Sequence, residues 1–93
     1  MNVSIIIPLL NESESINELN DWIFKAFTGT DLEFEIIYID DGSNDSSWSI
    51  IEKIAKSNIN IKGISFNRNY GKSQALRVGF SEAKGEYVAT LDI

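Results

Sequence analysis

Ile37-Tyr38-Ile39-Asp40-Asp41-Gly42-Ser43-Asn44-Asp45 is the stretch that sets the reading of the chain. A run of β-branched and aromatic residues ends abruptly in two adjacent carboxylates, a glycine and small polar residues. Apolar runs closed by turn chemistry are the mark of buried strands in a parallel sheet. Ligands of open α/β sheets bind in the crevice beyond the carboxyl ends of the strands. Two neighbouring acids repel each other, so a strand that stops on Asp-Asp calls for a functional explanation. The plainer alternative is a polar turn that caps the next helix, and Asp45 suits a cap on either reading.

Working outward from this stretch, Phe34 to Ile39 is a strand, and the Asp45 cap opens a helix with Trp48, Ile51, Ile54 and Ala55 facing inward. Ahead of it, Val3 to Ile7 is a short β-rich run broken by Pro8, which lacks a backbone donor. Asn11 with Glu14 three residues on has the form of a capping box. From there Ile16, Leu19, Ile23, Ala26 and Phe27 recur at helical spacing, and Gly29 ends the helix. Beyond Asn58, Ile61 to Phe66 forms a third strand with Gly63 as its weak point. The loop Asn67 to Lys72 leads into a third helix with Leu76, Phe80 and Ala83 inward and Gly79 in its middle. Mid-helix glycine costs about 1 kcal/mol relative to alanine, and close packing on the sheet would account for it. Gly85 ends that helix, and Tyr87 to Leu91 is a fourth strand that delivers Asp92. Alternation of β and α with short loops predicts a Rossmann-like, three-layer α-β-α fold around a parallel sheet. Residues 1–93 then form one unit, expected to be the amino-terminal half of a larger fold cut after its fourth strand. Such a half exposes a sheet edge through which a homo-oligomer can form.

Composition narrows the chemistry. With 93 residues, 43% apolar and 24% charged, the chain is an ordinary globular domain. No apolar run approaches the ~20 residues of a membrane span, and no secretory signal is present, so a cytoplasmic location is expected. There is no cysteine and no histidine, which leaves acid–base and metal chemistry to carboxylates. The net charge of −6 argues against nucleic acid as a partner. Yet Ile59 to Ser81 holds no acid, while Lys62, Arg68, Lys72 and Arg77 fall within it. A cationic island in an acidic chain suits a small anionic ligand.

Two phosphate motifs fail on inspection. Gly71-Lys72-Ser73 ends like a phosphate loop, but the pattern needs glycine where Phe66 stands. No G-x-G-x-x-G follows the first strand, where Pro8-Leu9-Leu10-Asn11-Glu12 stands instead. What remains is a set of groups predicted to share one rim. Asn11 and Glu12 follow the first strand, Asp40 and Asp41 the second, Arg68 and Lys72 the third, and Asp92 the fourth. A carboxylate can accept a base N–H or bind ribose hydroxyls, Arg and Lys neutralise phosphate oxygens, and a further acid can hold Mg²⁺ or Mn²⁺ across a diphosphate.

In Ser4-Ile5-Ile6-Ile7-Pro8-Leu9-Leu10-Asn11-Glu12, Ile39-Asp40-Asp41-Gly42-Ser43-Asn44-Asp45 and Leu91-Asp92, the sequence resembles the inverting glycosyltransferases of the GT-A fold. Phe66-Asn67-Arg68-Asn69-Tyr70-Gly71-Lys72-Ser73-Gln74-Ala75-Leu76 looks like the branch that transfers sugars to dolichyl or undecaprenyl phosphate. That resemblance implies a nucleotide-diphosphate sugar (UDP or GDP) as donor and a lipid phosphate as acceptor. Pro8, Leu10 and Glu12 would line the base and ribose pocket, with Asp40 reading the base edge and Asp41 supporting it or touching the ribose. Arg68 and Lys72 would lie near the diphosphate, and Asp92 would be the first acid of a D-x-D motif for Mg²⁺ or Mn²⁺. The family continues Asp-Ala-Asp, whereas Ile93 follows Asp92 and closes this sequence, so the second acid is not among these residues. No catalytic base is assigned. The acceptor site and any membrane anchor at the cytoplasmic face are expected outside this stretch. Two alternatives stand beside this reading: a non-catalytic α/β piece that self-associates, and a nucleotidyltransferase, which would want a glycine-rich basic loop after the first strand.

Overall fold

The computed structural model describes all 93 residues. Strands β1 (Val3–Leu9), β2 (Phe34–Asp40), β3 (Ile61–Ser65) and β4 (Tyr87–Thr90) alternate with helices α1 (Ile16–Phe27), α2 (Ser47–Ser57) and α3 (Lys72–Glu82). All pairings are parallel, and the sheet order is β3-β2-β1-β4. The chain therefore steps outward from β1 to β3 and then returns across the sheet to β4. The strand order reverses between β1 and β4, the kind of switch point at which open α/β sheets bind ligands.

Strand alternation divides the core in two. Ile5, Ile7, Leu9, Ile36 and Tyr38 face α1 and α2, meeting Ile16, Ile23 and Ile51. Ile6, Ile37 and Ile39 face α3, where Ala75 meets them. Each fully buried isoleucine contributes about 1.5–3 kcal/mol of apolar burial. The predicted α2 stripe is found, with Ile51 fully buried and Trp48, Ile54 and Ala55 packed beside it. Two glycines allow close approach. A Cβ on Gly63 would lie 2.6 Å from Ile51 Cγ2, and one on Gly79 would lie 2.4 Å from Ile6 Cγ2. Gly79 thus sits mid-helix because α3 rests almost directly on β1.

Several local expectations are corrected. Pro8 lies inside β1, opposite Ile39. Ile6 C=O accepts from Leu91 of the β4 side and Leu9 C=O from Asp41 of the β2 side, so Pro8, with the parity of Ile6, turns toward β4. Pairing with β4 ends at Ile6 opposite Thr90, and no donor is needed there. Asn11 does not cap α1, because its side chain is engaged elsewhere and the helix starts only at Ile16, after Ser15. Within α1, Ala26 is exposed and Phe24 packs instead. Its ring meets Phe34 edge-on at 5.1 Å. On α3, Phe80 is 52% exposed, and Ala75 and Gly79 make the buried contact. A large side chain could not follow the helix where it comes this close to the sheet.

Two buried polar arrangements were not foreseen. Glu35, between Phe34 and Ile36 in β2, is 4% exposed. Its Oε2 accepts from Ser4 Oγ at 2.6 Å and from Lys84 N–H at 2.8 Å, while Ser4 Oγ accepts from Gly85 N–H. This ties the α3–β4 turn to the amino-terminal end of the sheet. Tyr38 donates its buried hydroxyl to Asn20 Oδ1 at 2.8 Å. Burial, with the charge of Asp21 adding to it, pushes that hydroxyl well above its ordinary pKa. By contrast β4 is an open edge, exposed along its whole length.

Candidate functional site: a cavity at the strand ends

Each strand's carboxyl end feeds one loop, and four such loops surround a cavity of about 470 Å³. After β1 come Leu10 and Glu12, with Pro8 and Leu9 from the strand itself. The loop after β2 gives Asp41, that after β3 gives Asn69, Gly71 and Lys72, and Asp92 and Ile93 follow β4. The volume lies within the range of small-molecule sites. Of the residues singled out from sequence, Pro8, Leu10, Glu12, Asp41, Lys72 and Asp92 come together here. Asp40 and Arg68 do not line the cavity.

The two adjacent acids separate because successive strand residues point to opposite faces. Asp40 keeps the parity of Ile36 and Tyr38 and is 1% exposed. Its Oδ1 accepts from Ser43 N–H at 2.8 Å, which closes the turn, and its Oδ2 has no hydrogen-bond partner. Asp41 turns the other way. Its two oxygens accept from Tyr70 N–H at 2.7 Å and Gly71 N–H at 3.0 Å. A carboxylate offers about four lone-pair positions, so Asp41 holds the β3–α3 loop and keeps acceptor capacity for a ligand.

Gly42 reinforces that contact. Its φ of +85° is in the left-handed region, and a Cβ there would lie 2.4 Å from the carbonyl carbon of Arg68. The Arg68 guanidinium instead lies 4.6 Å over the Tyr70 ring, and Tyr70 in turn meets Phe66 edge-on at 5.6 Å. Arg68 thus braces its own loop by a cation–π contact.

A second set of bonds joins the loops after β1 and β2. Asn11, at φ +53°, donates its N–H to Ser43 Oγ and accepts Asn44 N–H on Oδ1, both at 2.8 Å. Glu12 N–H donates to Ser47 Oγ at 3.0 Å, and Ser13 N–H to Asp45 Oδ2 at 3.2 Å. Asp45 is not the N-cap of α2, which is Ser46, but it accepts Ser47 N–H on Oδ1 at 2.9 Å. Hydrogen bonding from Ser47, and after it from Ser13, outweighs desolvation and holds the Asp45 carboxyl down at about 2. Sequence reasoning missed this clasp, and also missed Leu9, Asn69, Gly71 and Ile93 in the lining. The density of Ser, Asn and Asp from 43 to 47 was the available signal, since such side chains bind nearby backbone.

Across the cavity, Lys72 Nζ pairs with Asp92 Oδ1 at 2.6 Å, both side chains more than half exposed. Lys72 is the first residue of α3, whose N-cap Gly71 supplies no side-chain cap. The first-turn N–H groups and the lysine place positive charge at this corner, facing the carboxylates of Glu12, Asp41 and Asp92. A divalent cation wants about six oxygens. Asp92 is a single carboxylate already paired with a lysine, and no three acids cluster in the chain. These residues do not compose a cation site by themselves. No helix is long and apolar enough to cross a membrane.

Comparison with known proteins gives this geometry a family. The chain is 41% identical over 91 residues to the undecaprenyl-phosphate 4-deoxy-4-formamido-L-arabinose transferase of Proteus mirabilis, covering 97% of this chain and 28% of that protein. The protein of the same description from Pseudomonas fluorescens is 42% identical, with 97% and 27% covered. The chain thus spans little more than a quarter of the length of these relatives. Among solved structures, S. aureus TarS in complex with UDP-GlcNAc superimposes with a TM-score of 0.83 at 30% identity, over 99% of this chain and 26% of that one. The mannosyltransferase PcManGT from Pyrobaculum calidifontis, in complex with GDP-Man and Mn²⁺, gives 0.83 at 26% identity, over 98% and 27%. The sequence pattern described as Glycosyl transferase family 2 matches residues 4–93, and with a parallel sheet of order β3-β2-β1-β4 opening its cavity at the strand ends, the chain belongs to that family.

Proposed function

We propose that this chain is the donor-binding half of an inverting glycosyltransferase that moves a sugar from a nucleotide-diphosphate sugar onto a polyprenyl phosphate. The observation that carries the proposal is one cavity that brings together an apolar wall, the carboxylates of Glu12, Asp41 and Asp92, and the lysine at the start of α3. Pro8 and Leu10 are shaped for the flat faces of a base. Asp41 is the acid that opens on the cavity, so we assign it the base N–H or the ribose, with Asp40 holding the turn beneath it. Glu12 supplies a second acceptor for ribose hydroxyls. Lys72 and the free amides of α3 meet the diphosphate. Arg68 contributes by keeping the β3–α3 loop in place.

In the proposed reaction a phosphate oxygen of the acceptor attacks the anomeric carbon. The bond from that carbon to the donor's phosphate oxygen breaks, and its electron pair leaves with the nucleoside diphosphate. A phosphomonoester is largely ionised at neutral pH, its second pKa being about 6, so the acceptor needs positioning more than a base. Asp92 would give one oxygen to a Mg²⁺ or Mn²⁺ ion, the others coming from the diphosphate and from residues outside this stretch. The named relatives support the lipid-phosphate acceptor, and the acceptor site falls outside these residues in this reading. The open β4 edge also offers pairing to a second copy, which light scattering would detect as a concentration-dependent dimer.

Titration calorimetry with UDP- and GDP-sugars tests the proposal. One of the two is expected to bind, binding is expected to be lost in Asp41→Ala, and Arg77→Ala, on the exposed side of α3, is expected to leave it intact. Failure of both nucleotides to bind, or unchanged binding in Asp41→Ala, overturns it.

A further inference from the structure

Three successive N–H groups of the β1–α1 loop, those of Asn11, Glu12 and Ser13, each end on a side-chain oxygen of the segment 43–47. In return Asn44 N–H ends on Asn11 Oδ1. Fixing three consecutive peptide groups fixes the backbone dihedrals of the middle residue, and so the direction of its Cβ. That middle residue is Glu12, which lines the cavity. Its own side chain accepts one long hydrogen bond, from Ser15 Oγ to Oε1 at 3.5 Å, a weak hold beside the clasp on its backbone. The oxygen that receives Glu12 N–H belongs to Ser47, which is fully buried at the start of α2. Asp45 grips both sides of this joint, with Oδ1 on Ser47 N–H and Oδ2 on Ser13 N–H.

We infer that Asp45 and Ser47 are positioning residues of the donor site, which set the orientation of Glu12 toward the ribose of a nucleoside diphosphate without touching it. The assignment rests on the nucleotide-binding reading above and adds two residues outside the cavity lining to the recognition machinery. It separates them from Ser43 and Asn44, whose bonds go to Asn11. Loss of the clasp releases Glu12 into several orientations. The nucleotide then has to order the loop on binding, which weakens affinity.

A double-mutant cycle in nucleotide binding distinguishes positioning from general support. Calorimetry with UDP and GDP is run on the whole chain and on Asp45→Ala, Glu12→Ala and the double variant. Asp45→Ala is expected to weaken the bound nucleotide by about tenfold, as loss of one or two hydrogen bonds allows. In the Glu12→Ala background the same substitution is expected to leave Kd unchanged within about twofold, because nothing remains to be aimed. The thermal midpoint should fall by the same amount in both backgrounds. Asp45→Asn, which keeps one acceptor oxygen and the shape, should recover part of the affinity and guards against a variant that fails to fold. Equal weakening in both backgrounds overturns the inference, since it marks Asp45 as a support of the fold alone. If the unmodified chain binds neither nucleotide, the donor-site reading falls and this assignment falls with it.

Discussion

The rim of the cavity has two unlike halves. On the β2 side, three loops lock together: Asp41 holds the β3–α3 loop, Ser43, Asp45 and Ser47 hold the β1–α1 loop, and Gly42 lies against the Arg68 backbone. On the β4 side, one exposed pair, Lys72 with Asp92, joins the start of α3 to the segment after β4, which lies at the edge of the sheet. Interlocked hydrogen bonds cost little reorganisation when a ligand arrives, whereas an exposed ion pair is weak and readily exchanged. Under the donor-site proposal, the first half is the one expected to recognise a rigid nucleoside. Under the same proposal, the second half would trade its internal partner for phosphate.

The sharpest way to break this contrast is at Gly42. Gly42→Val should cost on the order of 3 kcal/mol through left-handed strain and collision with the 68–69 backbone, and nucleotide binding should disappear with it. Chemical denaturation and calorimetry read the two effects. Next in size is a control at the far end of the sheet. Glu35→Ala removes the acceptor of Ser4 Oγ and Lys84 N–H, and should cost about 2 kcal/mol. Because this residue lies away from the rim, nucleotide Kd measured well below the melting temperature should not change.

Acid provides a gentler probe of the clasp. The Asp45 carboxyl is held down at about 2 by the bonds it accepts, against about 3.9 for an unperturbed aspartate. A depressed carboxyl adds stability above the unfolded value and loses it as pH falls through the folded one. Between roughly pH 4 and pH 2 the clasp should therefore loosen, seen as a lower protection of the Ser13 amide relative to its intrinsic exchange rate at each pH. Asp45→Asn should flatten that dependence. The smallest effect belongs to the other half of the rim. Lys72→Met should change stability by no more than about 0.5 kcal/mol, as exposed ion pairs do. It should nevertheless weaken the nucleoside diphosphate more than the nucleoside, which separates a phosphate contact from a structural one.

The sequence revealed much of the architecture because its elements are marked by patterns that depend only on neighbours along the chain. The runs at Val3–Ile7 and Phe34–Ile39 and the stripe Trp48, Ile51, Ile54, Ala55 were legible for that reason. Boundaries were less so. Pro8 reads as a strand breaker until its neighbour on one side is known to have ended, and Phe80 reads as core until the closeness of α3 to β1 is known. The candidate site was legible as a list of strand-end residues, but the difference between Asp40 and Asp41 was not.

From the order of its residues alone, this chain determines a β-α-β-α-β-α-β unit with acids and bases gathered after its strands. Hydrophobic period, turn chemistry and the place of each charge are properties of local sequence. Which acid faces the cavity, which loop holds which, and that Lys72 meets Asp92 were decided only in three dimensions. Those outcomes depend on strand parity and sheet order, which bring residues some thirty positions apart to within a hydrogen bond.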